Sequence, residues 1–187
     1  MPRFIVALLV DEPSFFLQYA QRFADIAAGY LLGVNVHPHI TLAQFDGKQS
    51  DFDALLEVLQ QPLDNIQVRV LGMHFGFPVT MPGRLWAALS VARDPQVLAL
   101  HELVIAFLEQ RPGVVIHTVK RNLFDPHITL ALINGNIPAC PTPVIPELSV
   151  SVAAGIADSL GQFIEIKRVF PKARQLTSSL TSAKCRL

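Results

Sequence analysis

Cysteine, tryptophan, tyrosine and charge are all scarce in this chain. Its 187 residues hold two cysteines, one tryptophan and two tyrosines, and only 16% are charged. Cys140 and Cys185 lack metal-type spacing, and a bridge between them would merely tie down the C-terminal tail. A reduced, intracellular setting is therefore expected. The 15 basic and 15 acidic side chains cancel, which argues against broad adhesion to duplex DNA, since that needs several phosphate contacts. A local cationic pocket for one or two phosphates stays open, with Arg84, Lys120, Arg121, Lys167 and Arg168 available. No stretch is long and uncharged enough to span a bilayer. Met1-Pro2-Arg3 and the apolar run Phe4 to Val10 look like a signal start. However, Asp11, Glu12 and Pro13 follow at once with no small-residue cleavage site, so the run reads as a buried strand. A soluble cytoplasmic protein with no membrane partner is expected. There is also no glycine-rich phosphate loop, no Gly-x-Ser-x-Gly elbow and no cysteine in a nucleophile's surroundings.

What the chain does have is a repeat. Pro38-His39-Ile40-Thr41-Leu42-Ala43 recurs as Pro126-His127-Ile128-Thr129-Leu130-Ala131. At ordinary residue frequencies such a coincidence arises in about one chain per thousand. In an extended strand, side chains at i and i+2 share a face. His39 and Thr41 therefore point together while Ile40 and Leu42 point into a core, and His127, Thr129, Ile128 and Leu130 repeat the arrangement. An ancient duplication that preserved only packing would keep Ile and Leu, and would have no packing reason to keep two histidines.

Hydrophobic residues make up 51% of the chain, enough for one domain or two small lobes sharing a core. The periodicity predicts a strand at Phe4–Val10 and a helix from Asp11 or Ser14 to about Leu32. It continues with the motif strand His39–Phe45, a helix Asp51–Gln61, and a strand from Ile66 toward Phe75. A loop follows through Gly83, then a strand Arg84–Val91, a helix from Asp94-Pro95 to about Gln110, and a short strand Val114–Val119. The second motif strand His127–Ile133 is followed by a proline-rich connection to Pro146 and strands Leu148–Ala154 and Phe163–Phe170. The adjacent strand pairs and the repeat favour an α+β fold of two similar lobes, each an antiparallel sheet backed by helices. Residues 1–171 form this single unit, and the polar stretch 172–187 reads as a peripheral tail.

Two facing imidazoles suit phosphodiester cleavage, above all of a strained cyclic ester. Histidine's ordinary pKa of about 6.5 lets one ring be neutral while another is charged near neutral pH. One takes a proton from the nucleophile and the other gives one to the leaving oxygen, with no metal required. Hydroxyl donors fixed on the same strands, Thr41 and Thr129, would hold the non-bridging oxygens.

These paired His-x-Thr-Leu motifs resemble the two-histidine phosphoesterase superfamily, and within it the 2′-5′ RNA ligase-like proteins, also known as RNA 2′,3′-cyclic phosphodiesterases. Arg3-Phe4-Ile5-Val6-Ala7-Leu8, Phe45-Asp46-Gly47, and Phe77-Pro78 ahead of Arg84-Leu85-Trp86 resemble that family's pattern too, over most of residues 3–170. The resemblance implies a bilobal, pseudo-twofold fold and a cleft without metal or cofactor. That cleft would be lined by His39, Thr41, His127 and Thr129 and would open a cyclic phosphate to a 2′-phosphate. The expected substrate is an RNA end or a small cyclic nucleotide, and the expected state a monomer. The chain departs from the family at Leu132, where many ligase-like members carry arginine. This weakens the RNA-joining assignment, and Arg84 or Arg121 would have to supply a phosphate charge instead.

Further histidines and aromatics are candidates of lower rank. His37, beside His39, would allow a His37/His39/Asp125/His127 metal cluster. His74, His101 and His117 lack partners in the sequence and read as structural or surface residues. Among the aromatics, Trp86 is expected in the core and Phe77 in a loop is the better base contact, with Phe75 a further option.

Overall fold

The structure is a computed structural model that describes residues 1–60, 66–78, 81–119, 121–135, 137–139 and 143–172, with the side chain of Arg121 excepted. Cys140, Cys185, Lys120 and the tail from 173 onward lie outside the described residues. In chain order the elements are β1 (Arg3–Val10), α1 (Ser14–Ala20), a 3-10 turn (Gln21–Ile26), β2 (Ala27–Leu31), β3 (His39–Asp46) and α2 (Gln49–Val58). Then come β4 (Ile66–Val68), β5 (Val70–Gly76), β6 (Arg84–Val91), α3 (Pro95–Glu109) and β7 (Val115–Ile116). A 3-10 turn (Arg121–Leu123), β8 (His127–Asn134), β9 (Leu148–Ala157) and β10 (Phe163–Val169) complete the described fold. It is α+β, with one antiparallel sheet of ten strands among the described residues, ordered β10-β9-β1-β3-β8-β6-β5. Off this path β2 pairs with β8, β4 with β9 and β7 with β3.

The pairing repeats about a single contact. The motif strands β3 and β8 meet through one residue pair, Ile40 opposite Ile128. On the far side of each lies an equivalent neighbour, β1 beside β3 and β6 beside β8. Both pairings slip at the same motif position. Val6 faces Ala43 and Ala7 faces Thr41, skipping Leu42; Ala87 faces Ala131 and Ala88 faces Thr129, skipping Leu130. Such a bulge leaves the extra residue unpaired. Each orphaned carbonyl finds another partner: Leu32 N–H donates to Leu130 O at 2.8 Å, and the buried His101 ring on α3 meets Leu42 O at 2.7 Å through Nδ1. Instead of two separate sheets, the two halves form one sheet joined at a seam.

The sheet's covered face holds the core. Ile40, Leu42, Ile128 and Leu130 are fully buried there, with Phe52 and Leu55 of α2, Val97 and Val104 of α3, and Phe16 of α1 in the same cluster. Phe4 stacks on Phe52 with centroids 4.4 Å apart. Burying each such side chain favours folding by about 1.5–3 kcal/mol. α3 begins as its sequence dictates, with Asp94 accepting from Gln96 N–H and Pro95 at the first helical position.

Three expectations are corrected. The first helix stops at Ala20 rather than near Leu32, because the following residues tighten into a 3-10 turn and then extend as β2 along β8. Gly29, at φ +111°, takes a conformation no helix permits. The strand expected from Ile66 to Phe75 divides at Arg69, since β4 pairs with β9 and β5 with β6. The strand expected at Val114–Val119 is only Val115–Ile116, so His117, Thr118 and Val119 are released to the cavity described next.

Candidate active site

The seam fixes the site. Ile40 opposite Ile128, continued one residue either way, sets His39 opposite Thr129 and Thr41 opposite His127. Alternation then gives all four the same face, away from the buried isoleucines. The two histidines are close enough for the charge of His127 to act on the His39 ring. The bulge at Leu42 shifts the phase of β3, so that Thr41 and Gln44, three residues apart, both line a cavity of about 480 Å³. Thr129, His127, His74, Trp86, Phe77, His117, Thr118, Leu160 and Gln162 also line it. Among the described residues no lysine or arginine lines it; imidazoles, hydroxyls, amides and the carboxylate-bearing Asp125 carry its polarity.

The two motif histidines are anchored alike. His39 Nδ1 lies 2.8 Å from His37 O, and His127 Nδ1 lies 2.8 Å from Asp125 O. In the neutral ring, donation from Nδ1 leaves Nε2 unprotonated. Their surroundings differ. His127 is exposed on the cavity wall, its ring near-parallel to that of His74 with centroids 6.2 Å apart. His39 is 6% exposed and is not itself part of the cavity wall. Phe163 stands edge-on to it at 5.2 Å, and the Gly161 backbone also contacts the ring. Burial holds the His39 pKa below the ordinary histidine value, and the charge of His127 acts in the same direction against the two carbonyl contacts.

The turn over His39 is tightly built. Asp158 Oδ1 accepts from Leu160 and Gln162 N–H at 2.8 Å each, and Gln44 Nε2 donates to Gly161 O at 3.0 Å. Gly161 has φ +83°, and a Cβ there would stand 2.1 Å from Gln44 Nε2. The positive φ favours glycine here, and a side chain would displace the Gln44 amide.

The remaining candidates are distributed as follows. Arg84 is drawn away from the cavity, its guanidinium donating to Ala28 O at 2.7 Å. Lys167 pairs with Glu165 at 2.7 Å on β10, and Arg168 lies over Phe170. Leu132 is buried between the register positions of Tyr30 and Trp86. Trp86 is half-buried, meeting Tyr30 edge-on at 5.9 Å and also lining the cavity. Phe77, 80% exposed, lines it too; Phe75 packs on the core. Among the described residues no group of three or more histidine, cysteine, aspartate or glutamate side chains is arranged to hold a metal ion, so the contemplated His37/His39/Asp125/His127 set does not assemble.

Sequence reading missed His74, His117 and Gln162 as cavity residues and His101 as the partner of the Leu42 carbonyl. His117 Nε2 lies 2.9 Å from Asp46 Oδ2, and Arg3 Nε lies 3.0 Å from Asp46 Oδ1. The Arg3 guanidinium, with His117, holds the Asp46 carboxyl below its usual range. Arg3 and Asp46 stand opposite each other where β1 pairs with β3.

The chain shares this fold with solved structures. Among solved structures it is similar to E. coli LigT complexed with 3′-AMP, at 16% identity over 92% of this chain and 99% of that one, with a TM-score of 0.62. It is also similar to TT0787 of Thermus thermophilus (19% identity, 90% and 96% covered, TM-score 0.58). A structure described as a phosphoesterase gives 14% identity, 92% and 99% covered, and a TM-score of 0.60. No family profile and no curated protein sequence matches the chain.

Proposed function

We propose that this chain hydrolyses 2′,3′-cyclic phosphates, at RNA ends or on small nucleotides, to 2′-phosphates without a metal. The reading is supported by the Ile40–Ile128 pair that brings the two motif strands together, by Thr41, His127 and Thr129 lining one cavity, and by the charge of His127 acting on the His39 ring. One imidazole takes a proton from water as the water oxygen bonds to phosphorus. The P–O3′ bond breaks, and the other imidazole protonates O3′, leaving a free 3′-hydroxyl and a 2′-phosphate. Thr41 and Thr129 donate to the non-bridging oxygens. Trp86 and Phe77 offer faces on which a base stacks. The 3′-AMP complex of E. coli LigT, on the same fold, supports a nucleotide in this cavity.

The test is incubation of EDTA-treated protein with 2′,3′-cyclic nucleotides, resolving 2′- from 3′-phosphate product. The 2′-phosphate is expected, with a bell-shaped pH profile. Formation of a 2′-5′ linkage would put a 5′-hydroxyl in place of water with the same roles, and its cleavage would exchange them. A panel of 2′-5′-linked and cyclic substrates separates that reading, and binding without turnover over hours would mark a capture module.

A further inference from the structure

Gln162 carries a feature that neither packing nor the proposed acid–base pair uses. It is 6% exposed, its side chain lines the cavity, and its Oε1 is buried without a hydrogen-bond partner among the described residues. A buried, unmet acceptor destabilises a folded protein, and the surroundings here are rigid rather than slack. Asp158 Oδ1 holds the Gln162 N–H, Asp158 N–H holds the Gln162 carbonyl at 2.9 Å, and Gln44 pins Gly161. Its two chain neighbours both touch the reactive centre: Phe163 packs on His39, and Gly161 contacts the same ring. The backbone that carries this amide is thus held at fixed geometry against His39, on a residue that lines a cavity a ligand would fill.

We propose that Gln162 is a specificity residue whose Oε1 accepts an N–H or O–H from the nucleoside portion of the substrate. The inference rests on the nucleotide reading of this cavity. A donor-bearing nucleoside satisfies the oxygen and an analogue lacking the donor leaves it buried and unmet, which is how polar sites discriminate strongly. Two sources offer that chemistry, an exocyclic base amine and the ribose 5′-hydroxyl.

The probes are 3′-AMP, purine riboside 3′-phosphate without the amine, and 5′-deoxyadenosine 3′-phosphate without the hydroxyl. Each is titrated calorimetrically into the wild type and into Gln162→Met, which keeps the length of the side chain and removes the acceptor. The expected result is about tenfold weaker binding of 3′-AMP by the variant. One analogue should bind the wild type with that same loss and lose nothing further in the variant. Which analogue behaves so names the donor. The melting temperature of the unliganded variant should be unchanged or raised, since an unmet acceptor is gone. Equal losses for all three ligands, no loss for any, no binding of 3′-AMP by the wild type, or a lower unliganded melting temperature would each overturn the assignment. Absence of cyclic-phosphate turnover by a wild type that binds 3′-AMP through Gln162 would remove the proposed reaction and leave this inference standing.

Discussion

The same six residues occupy two different environments, and the contrast separates what a motif determines from what its neighbours determine. In both copies the ring is held through Nδ1 to the carbonyl two residues earlier, at 2.8 Å, and the strand slips at the motif leucine. These features come from the strand and its first neighbour. Access and proton affinity come from what lies above. The β9–β10 turn and Phe163 cover His39, while His127 stands open beside His74. One duplicated unit thus presents a sheltered imidazole and an exposed one, an inequality useful to a reaction that needs a base and an acid at once.

The largest test of that contrast is to remove each ring. His39→Ala and His127→Ala should each lower kcat for a cyclic nucleotide by about 10²–10⁴-fold. Full activity in either variant would break the comparison outright. Next come the hydroxyls: Thr41→Val and Thr129→Val should each reduce kcat by about 10²-fold with little change in KM, measured by initial rates. A loss confined to one would show that only one strand grips the phosphate.

The bulge carbonyls offer a smaller effect. His101→Ala leaves the buried Leu42 carbonyl unmet and should lower unfolding free energy by about 1–3 kcal/mol in urea titration at pH 7.5. Burial holds the His101 pKa below its ordinary value. The unfolded chain therefore binds more protons than the folded one as pH drops below about 6.5, and stability falls there. The His101→Ala variant should lose less stability than the wild type between pH 7.5 and 5.5. The smallest expected effect is a shift of a pH limb. Phe163→Ala opens the shelter over His39, so one limb of kcat/KM should move up toward histidine's ordinary value, while His74→Ala should leave that limb in place.

Much of this was legible in sequence because it is local. The runs of β1, β3, β6 and β8 follow from their short apolar stretches, and the faces of Ile40, Leu42, Ile128 and Leu130 from alternation. β2 was hidden because Tyr19, Phe23, Ile26 and Tyr30 recur at helical spacing, and only the long-range pairing with β8 draws the last of them into a strand. His74 and His117 reach the cavity through β5 and the segment after β7, positions set by topology rather than by their own neighbours. The burial of His39 depends on the distant turn at Gly161 and on Phe163, and nothing in the motif announces it.

The crossed pairings of β2 with β8 and β7 with β3 mean that each repeat lends a strand to its sibling. Neither repeat, expressed by itself, would have every edge occupied. Two fragments divided between β5 and β6 would have to find one another to become stable, so the two halves are mutually dependent.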